Sequence, residues 1–387
     1  MGKRVLLIAD ADGLWTKRLV ENVLLPAGME PVVFPIWPCR GTNDAFYQAH
    51  GIPVYQDRHR LPVIRRIPRL RMWARLWLNA RSLMKQFGPF ELVANHYLSQ
   101  RDLALGHLVV CRYHARWVCC FWGSDLLRAS PKELQRMKPY LLRCDCIHSV
   151  YNLIQPRMME LYGPQVAQKT HLLQFGHPTF DCIDQIRESQ DKTACKAHFG
   201  ISPDRFVLCV GYSASSAQQQ LQVLKALSNL PEERLRSITI VLQQTYCMDD
   251  PAYVEQTRTF CRSLPCETVV LTEFMSDREC AWLRLAADAF ILAITTDAFC
   301  ASLREYLYAG ARVMYGSWLA YPQLKEMGMD VPTFESFDQL PGLVMQAMDG
   351  PRPRMTEEQR QQFLQAYSAE GQLPKWLALY EPEEEKP

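Results

Sequence analysis

The chain lacks the roughly 18–20 consecutive apolar residues that a membrane-spanning helix needs. The first apolar run, within MGKRVLLIADADG, is about six residues, too short for a secretory signal. The expectation is a protein that is not translocated and stays in the cytoplasm. No charge of one sign dominates: 43 Lys and Arg stand against 41 Asp and Glu, a net charge of +2 over 387 residues. A strong global field is therefore excluded. There is no low-complexity tract and no short-period repeat. Fourteen cysteines are present, but none form a CxxC pair and none have a histidine at zinc spacing, so neither a zinc module nor a disulfide framework is expected. Cys119, Cys120, Cys144 and Cys146 fall on apolar runs and read as reduced core thiols. No metal and no cofactor is expected.

What is present is an alternation. Val5–Ala9, Pro31–Ile36, Ile52–Tyr55, Glu91–Asn95, Trp117–Phe121, Cys146–Val150 and His171–Phe175 are short apolar runs without period-2 polarity, the pattern of strands buried on both faces. Helical periodicity lies between them, at about Trp15–Leu25, Asp102–Tyr113, Pro131–Leu142 and Leu153–Tyr162. The pattern pauses at Gly176–Ser189, read as a connector, and resumes. The second series has strands at Phe206–Val210, Ser237–Leu242, Thr268–Leu271, Ala289–Ile294 and Val313–Tyr315. Its helices are expected at Ala217–Asn229, Pro251–Arg262, Asp277–Ala287 and Ala298–Ala309. Such alternation predicts an α/β chain of two doubly wound, Rossmann-like parallel sheets with a cleft between them. The divisions expected are 1–176, 177–350 and a tail 351–387 that carries helix and an acidic end and packs back on the first domain.

Several segments can carry chemistry. In TTDAFCASLREYLYAG (Thr295–Gly310), Asp297 falls in a strand-to-helix loop and Glu305 about two turns along the helix. The amides of Phe299, Cys300 and Ala301 would open the helix as an anion site. In VGYSASSAQQQLQVLKAL (Val210–Leu227), Gly211 permits close backbone approach, and the run Ser213–Ser216 can cap a helix while leaving amides for phosphate. FWGSDLL (Phe121–Leu127) turns at Gly123 and presents Asp125 beside Ser124. His96 ends the preceding strand, and Asp10, Asp12 and Gly13 end the first, on the same sheet edge. Asp125 also reads as a helix cap and His96 as a structural histidine.

Arg58–Lys85 holds eight Arg, one Lys, one His and no acid, interleaved with two Trp and aliphatic residues. From Leu70 onward the apolar set Leu70, Trp73, Leu76, Trp77, Leu83 and Met84 recurs at helical spacing. A basic amphipathic helix with tryptophans suits an anionic bilayer surface, with Arg65, Arg66, Arg69, Arg71, Trp73 and Trp77 as its contacts. A docked helix with solvated arginines is the competing reading. Nucleic acid is not expected as a partner, since no recognised module accompanies the patch.

Taken together, the two α/β halves, the WGSD turn, the Gly-Ser loop and the acid-x7-Glu helix resemble the GT-B glycosyltransferases. The likeness is to the family-four-like retaining enzymes and the bacterial 4-acetamido-fucose lipid-intermediate transferases, whose Gly-Asn-Ser loop and Ser-Tyr-Gly segment resemble VGYSASSAQQQLQVLKAL and LQQTYCMDDPAYVEQ. The resemblance covers the layout of nearly the whole chain and, in specific motifs, about a quarter of it.

This resemblance implies that Glu305 binds the donor ribose and Asp297 lies near the donor sugar. The amides of Phe299, Cys300 and Ala301 would hold the diphosphate opposite Gly211, Ser213 and Ser215, and Glu273, Phe274 and Met275 would border the nucleobase. Asp125 and His96 are implied on the acceptor side as candidate bases, near Asp12, Gly13, Gly123 and Ser124. The sequence departs from the family where Asp297 replaces the usual Glu, and where Ala214–Gln220 lacks the cations that clamp a diphosphate. Either the amides suffice, or Arg304 or Lys325 substitutes, or the donor is less highly charged. Asp249-Asp250 reads as a loop outside the site.

The implied function is transfer of a sugar from a nucleotide-activated donor to a glycan or lipid-linked acceptor. The implied setting is the inner face of the cell membrane, in bacterial surface polysaccharide synthesis, without metal and with retention. An inverting route with Asp125 or His96 as base stays open. The rivals are a sugar-nucleotide epimerase of the same fold and a non-catalytic membrane-associated partner protein.

Overall fold

Two parallel sheets organise the chain, each starting from a central strand. The computed structural model describes residues 2–57, 67–151, 153–174 and 176–380, without the side chains of Pro68 and Arg69. Met1–Phe175 with Gln372–Pro387 form one compact unit and Gly176–Gly371 the other.

In the first unit the strands are β1 (Arg4–Ala9), β2 (Glu30–Pro35), β3 (Leu92–His96), β4 (Arg116–Phe121), β5 (Cys146–Ser149) and β6 (Thr170–Leu172). Their order is β2-β1-β3-β4-β5-β6, all parallel. Val5, Leu6, Leu7 and Ile8 are wholly buried, because a parallel strand carries helices on both faces. Burying each such side chain contributes about 1.5–3 kcal/mol. One face is closed by Trp376 and Tyr380, which pack with Leu7, Ala94 and Val118. Trp376 donates through Nε1 to the Gln174 carbonyl at 3.0 Å. Ile52–Tyr55, expected as a strand, contributes only an isolated bridge between Val33 and Val54.

In the second unit the strands are β7 (Phe206–Val210), β8 (Ile238–Gln243), β9 (Glu267–Leu271), β10 (Ala289–Leu292), β11 (Arg312–Gly316) and β12 (Thr333–Phe334). Their order is β12-β11-β10-β7-β8-β9, again all parallel. The stretch read as a connector is a helix over Thr179–Ser189 whose Phe180, Ile183 and Ile186 are wholly buried. The tail divides differently from the expectation. The helix Glu357–Tyr367 belongs to the second unit, where Phe363 packs against Phe180 and Tyr308, and only residues from Gln372 onward join the first.

Each sheet has a switch point. The first grows from β1 to β2 and then resumes on the other side at β3; the second grows from β7 through β9 and resumes at β10. Ligands of open parallel sheets bind where the strand order reverses, outside the carboxyl ends of those strands. In the second unit that place is the pair of loops after β7 and β10.

Candidate functional site

The loop after β7 is built around Gly211. It takes φ +66°, and a Cβ there would lie 2.9 Å from Gln220 Nε2 and 3.0 Å from Gln218 Oε1, so only glycine fits without displacement. The chain then runs through Tyr212 and the buried Ser213, whose Oγ accepts from Gln218 Nε2 at 3.2 Å. Ser215 Oγ donates to Asp249 Oδ2 at 2.9 Å, and the Ser216 amide donates to Asp249 Oδ1 at 2.8 Å. Asp249, expected outside the site, therefore fastens its rim, and the Ser215 hydroxyl is committed to it. The Ala214 amide donates to the Tyr246 carbonyl. Tyr246 in turn meets Phe274 edge-on at 6.3 Å, and both rings are exposed. They form an aromatic shelf beside the Gly-Ser loop.

The loop after β10 is stitched to the first. Thr295 donates its amide to the Ala217 carbonyl at 2.9 Å, and Gln219 Nε2 donates to the Ala293 carbonyl at 2.7 Å. The helix here spans Ala301–Ala309 and not Ala298–Ala309. Asp297 is the reason: its Oδ2 accepts from the Cys300 amide and from the Tyr321 hydroxyl, both at 2.6 Å. This closes a turn in which Phe299 takes φ +80° and buries its ring. The Cys300 amide is consumed. The amides of Ala301 and Ser302 have no acceptor among the described residues, which leaves the positive end of this helix for an anion.

Glu305 is buried and held by a residue that sequence reasoning missed. Arg284 donates through Nε to Glu305 Oε2 at 3.1 Å, through Nη1 to Gln243 Oε1 and the Tyr306 hydroxyl, and through Nη2 to Ser302 Oγ. Burial opposes the charge on Arg284, but the Tyr306 and Glu305 oxygens hold its pKa above the ordinary value. The second carboxylate oxygen, Oε1, lies 3.9 Å from His177 Nδ1.

Arg304, a candidate for the diphosphate clamp, is engaged within the second unit. It is buried, with Nη2 2.9 Å from His177 Nε2 and the guanidinium over the Tyr367 and Phe299 rings at 4.8 and 5.3 Å. Burial lowers its pKa. Lys325 is exposed on the short helix Pro322–Glu326. Glu273 is exposed and Met275 half-buried beside Phe274.

At the switch point of the first unit the polar residues are occupied in holding loops. Asp12 accepts from the Thr42 amide at 2.7 Å and from the Arg40 amide, and Gly13 donates to the Asp10 carbonyl. Gly123 takes φ +112°, and Ser124 Oγ donates to the Tyr97 hydroxyl at 3.3 Å. Asp125, expected as an open base, is buried. Its Oδ2 accepts from the Leu98 amide at 2.7 Å, and its Oδ1 from the amides of Trp122 and Gly123 at 2.9 and 3.1 Å. Burial, opposed by these donors, raises its pKa to about 7.

No hydrogen bond joins His96 to Asp125 among the described residues. His96 lies under the C-terminal helix, Nε2 2.7 Å from the Tyr380 hydroxyl, and burial lowers its pKa to about 3. What does reach the rim of the first sheet is aromatic: Trp15 lies 6.1 Å from Trp122, and the exposed Trp37 lies 4.9 Å from Tyr97. Each follows a strand end, a position by which the sequence could have marked them.

The helix Pro68–Phe87 has two apolar faces, one buried and one exposed, where the sequence pattern shows a single set. Leu76, Ala80 and Leu83 are buried in the first unit's core. Leu70, Met72, Trp73 and Trp77, with Ile67 just ahead of the helix, are exposed, and Arg81 lies 5.5 Å over the Trp77 ring. Arg71, Arg75, Arg81 and Lys85 are exposed. Arg65, Arg66 and the Arg69 side chain lie outside the described residues. No helix of the described residues is long and apolar enough to cross a membrane.

Similar folds have been solved. A glycosyltransferase from Rickettsia africae shares the fold over 99% of this chain and 100% of its own, with TM-score 0.74 and 12% identity. HepE from Anabaena, in complex with UDP and glucose, covers 96% of this chain and 98% of its own at TM-score 0.69 and 14% identity. The sucrose-phosphate synthase of Thermosynechococcus elongatus covers 98% of both at 0.70 and 12%. The chain thus has the fold of the GT-B glycosyltransferases, with two Rossmann-like units. No family model matches it, and no curated protein matches it by sequence.

Proposed function

We propose that this chain is a glycosyltransferase that takes a sugar from a nucleotide-activated donor held on its second unit. The observation that carries the reading is the stitched loop pair at the β7/β10 switch point. It combines a glycine that admits close approach, unpaired amides on Ala301 and Ser302, and a carboxylate fixed by Arg284. In this reading the amides of Ala301 and Ser302 take the diphosphate and stabilise the charge that develops on the leaving phosphate. Glu305 Oε1 accepts from a ribose hydroxyl, and Tyr246 and Phe274 border the base. Asp297, already bound through Oδ2, offers only Oδ1 to the donor sugar. UDP and UDP-glucose are the first ligands to try, because HepE is solved with both.

Acceptor chemistry belongs to the first unit, where the Trp15, Trp37, Tyr97 and Trp122 rim offers faces on which sugar rings stack. With His96 and Asp125 committed elsewhere, neither candidate side chain is free as a base. This favours retention, with the leaving phosphate taking the acceptor proton. Neither a metal nor a cofactor enters the scheme.

The acceptor is a glycan or lipid-linked sugar, with a role in bacterial surface polysaccharide synthesis at the cytoplasmic face of the membrane. The exposed apolar and cationic face of Pro68–Phe87 supports that placement, since each cation near an anionic surface contributes about 1 kcal/mol. The test is nucleotide release from donor plus acceptor. Replacing Arg284 and Glu305 together, Arg284→Met with Glu305→Ala, removes both buried charges. It should abolish transfer while a cooperative unfolding transition persists; near-normal turnover would overturn the site.

A further inference from the structure

Three residues that the proposed transfer leaves unused share one buried place in the first unit. His96 on β3 is the register partner of Cys120 on β4, and Cys120 is the partner of His148 on β5. Register partners in a parallel sheet project on the same face, so the three side chains form a row across adjacent strands. One ligand atom from each, a nitrogen from either histidine and the Cys120 sulfur, lies within 4.8 Å of the other two.

The row is incomplete as it stands. His148 is wholly buried, and among the described residues neither of its ring nitrogens has a hydrogen-bond partner; Nδ1 of His96 is also buried and has none among them. A buried polar atom left unmet is costly, and here three such nitrogens share the face with one thiol. The surroundings are aromatic: Trp376 lies 4.8 Å from the His148 ring and Trp122 lies 5.8 Å from His96.

We propose that His96, Cys120 and His148 bind a transition-metal ion of the zinc class, tying β3, β4 and β5 together beneath the C-terminal helix. One thiolate and two imidazoles suit zinc or copper(I), whereas magnesium and calcium require oxygen donors. Zinc bonds of about 2.0–2.3 Å bring tetrahedral donors to roughly 3.3–3.7 Å apart, so the donors draw inward by about 1 Å on binding. Nε2 of His96 is engaged by the Tyr380 hydroxyl, which selects Nδ1 as its ligand atom and fixes the ring, as outer partners of metal-bound histidines do.

Binding forms the metal–sulfur bond and sends the Cys120 thiol proton to solvent, with no change of oxidation state. Two neutral imidazoles and one thiolate leave a divalent ion with one positive charge. His171 on β6 is the register partner of His148 and is exposed.

The test uses the full chain, stripped with chelator and titrated with zinc and, in parallel, with cobalt(II) as the spectroscopic probe. One equivalent should bind and produce a thiolate-to-cobalt charge-transfer band. Affinity should fall at least tenfold in Cys120→Ser and in His148→Gln. It should be unchanged when the exposed Cys39, Cys111 and Cys247 are all replaced by serine. If the buried variants do not fold, the cobalt band of the otherwise native chain decides: its persistence after the three surface replacements supports the site. Absence of the band, or its loss with the surface cysteines, would overturn the proposal and leave an ordered water as the occupant of the row.

Discussion

Removing Arg284 alone probes the buried charge pair behind the candidate site. Arg284→Met strips Glu305 of its partner and leaves Gln243, Tyr306 and Ser302 without the donor each now meets. Breaking one side of a buried ion pair costs about 3–5 kcal/mol, because the remaining charge stays uncompensated. In a unit of about 200 residues, with about 2–4 °C of Tm for each kcal/mol, that is a loss of roughly 6–20 °C. Adding Glu305→Gln removes the uncompensated charge, so the double variant should recover part of the loss, with a coupling energy above about 1 kcal/mol. Nucleotide affinity should fall about tenfold in Arg284→Met, as Glu305 is no longer held. Calorimetric unfolding and nucleotide titration of the four proteins in the cycle measure all three. A loss under about 1 kcal/mol for Arg284→Met, or strict additivity in the double variant, would refute the pairing argument.

Gly211→Ala should cost about 1–3 kcal/mol, since alanine is strained at positive φ and its Cβ meets Gln220 and Gln218; a thermal melt checks it. Asp125→Asn leaves at least one buried amide without an acceptor, for about 1–3 kcal/mol. Its pH dependence follows from the raised pKa. The stability that Asp125 adds is fully present below about 4 and is lost as pH rises through about 7. The advantage of the native chain over Asp125→Asn should therefore shrink between pH 5 and pH 8 in denaturation curves taken across that range. Arg71→Ala with Arg81→Ala should weaken binding to anionic vesicles by about 30-fold, two cations at about 1 kcal/mol each; unchanged co-sedimentation would reject the membrane face.

The strands were legible because parallel strands are apolar on both faces, so Val5–Ala9 or Phe206–Val210 needs no periodicity to be seen. The two switch points follow from strand order, which sequence does not contain. The helix start at Ala301 was hidden by the turn at Asp297, where a side chain takes the Cys300 amide and forces Phe299 into positive φ. Gly176–Ser189 read as a connector although Phe180, Ile183 and Ile186 mark one helix face; the glycine and proline at its start masked them. Glu305 was visible as a motif residue, but Arg284 was not, since its partner lies 21 residues away with no local pattern. His96, Cys120 and His148 come from three strands and meet only through register, so spacing along the chain could not reveal them. The helix Pro68–Phe87 was seen as amphipathic, but period alone does not tell which apolar face is buried and which is left to solvent.

Hydrogen–deuterium exchange with and without a nucleoside diphosphate tests the central claim most directly. Protection is expected to concentrate in residues 211–220, 244–249, 273–275 and 297–305 of the second unit. Protection confined to the first unit, or none at saturating nucleotide, would contradict it.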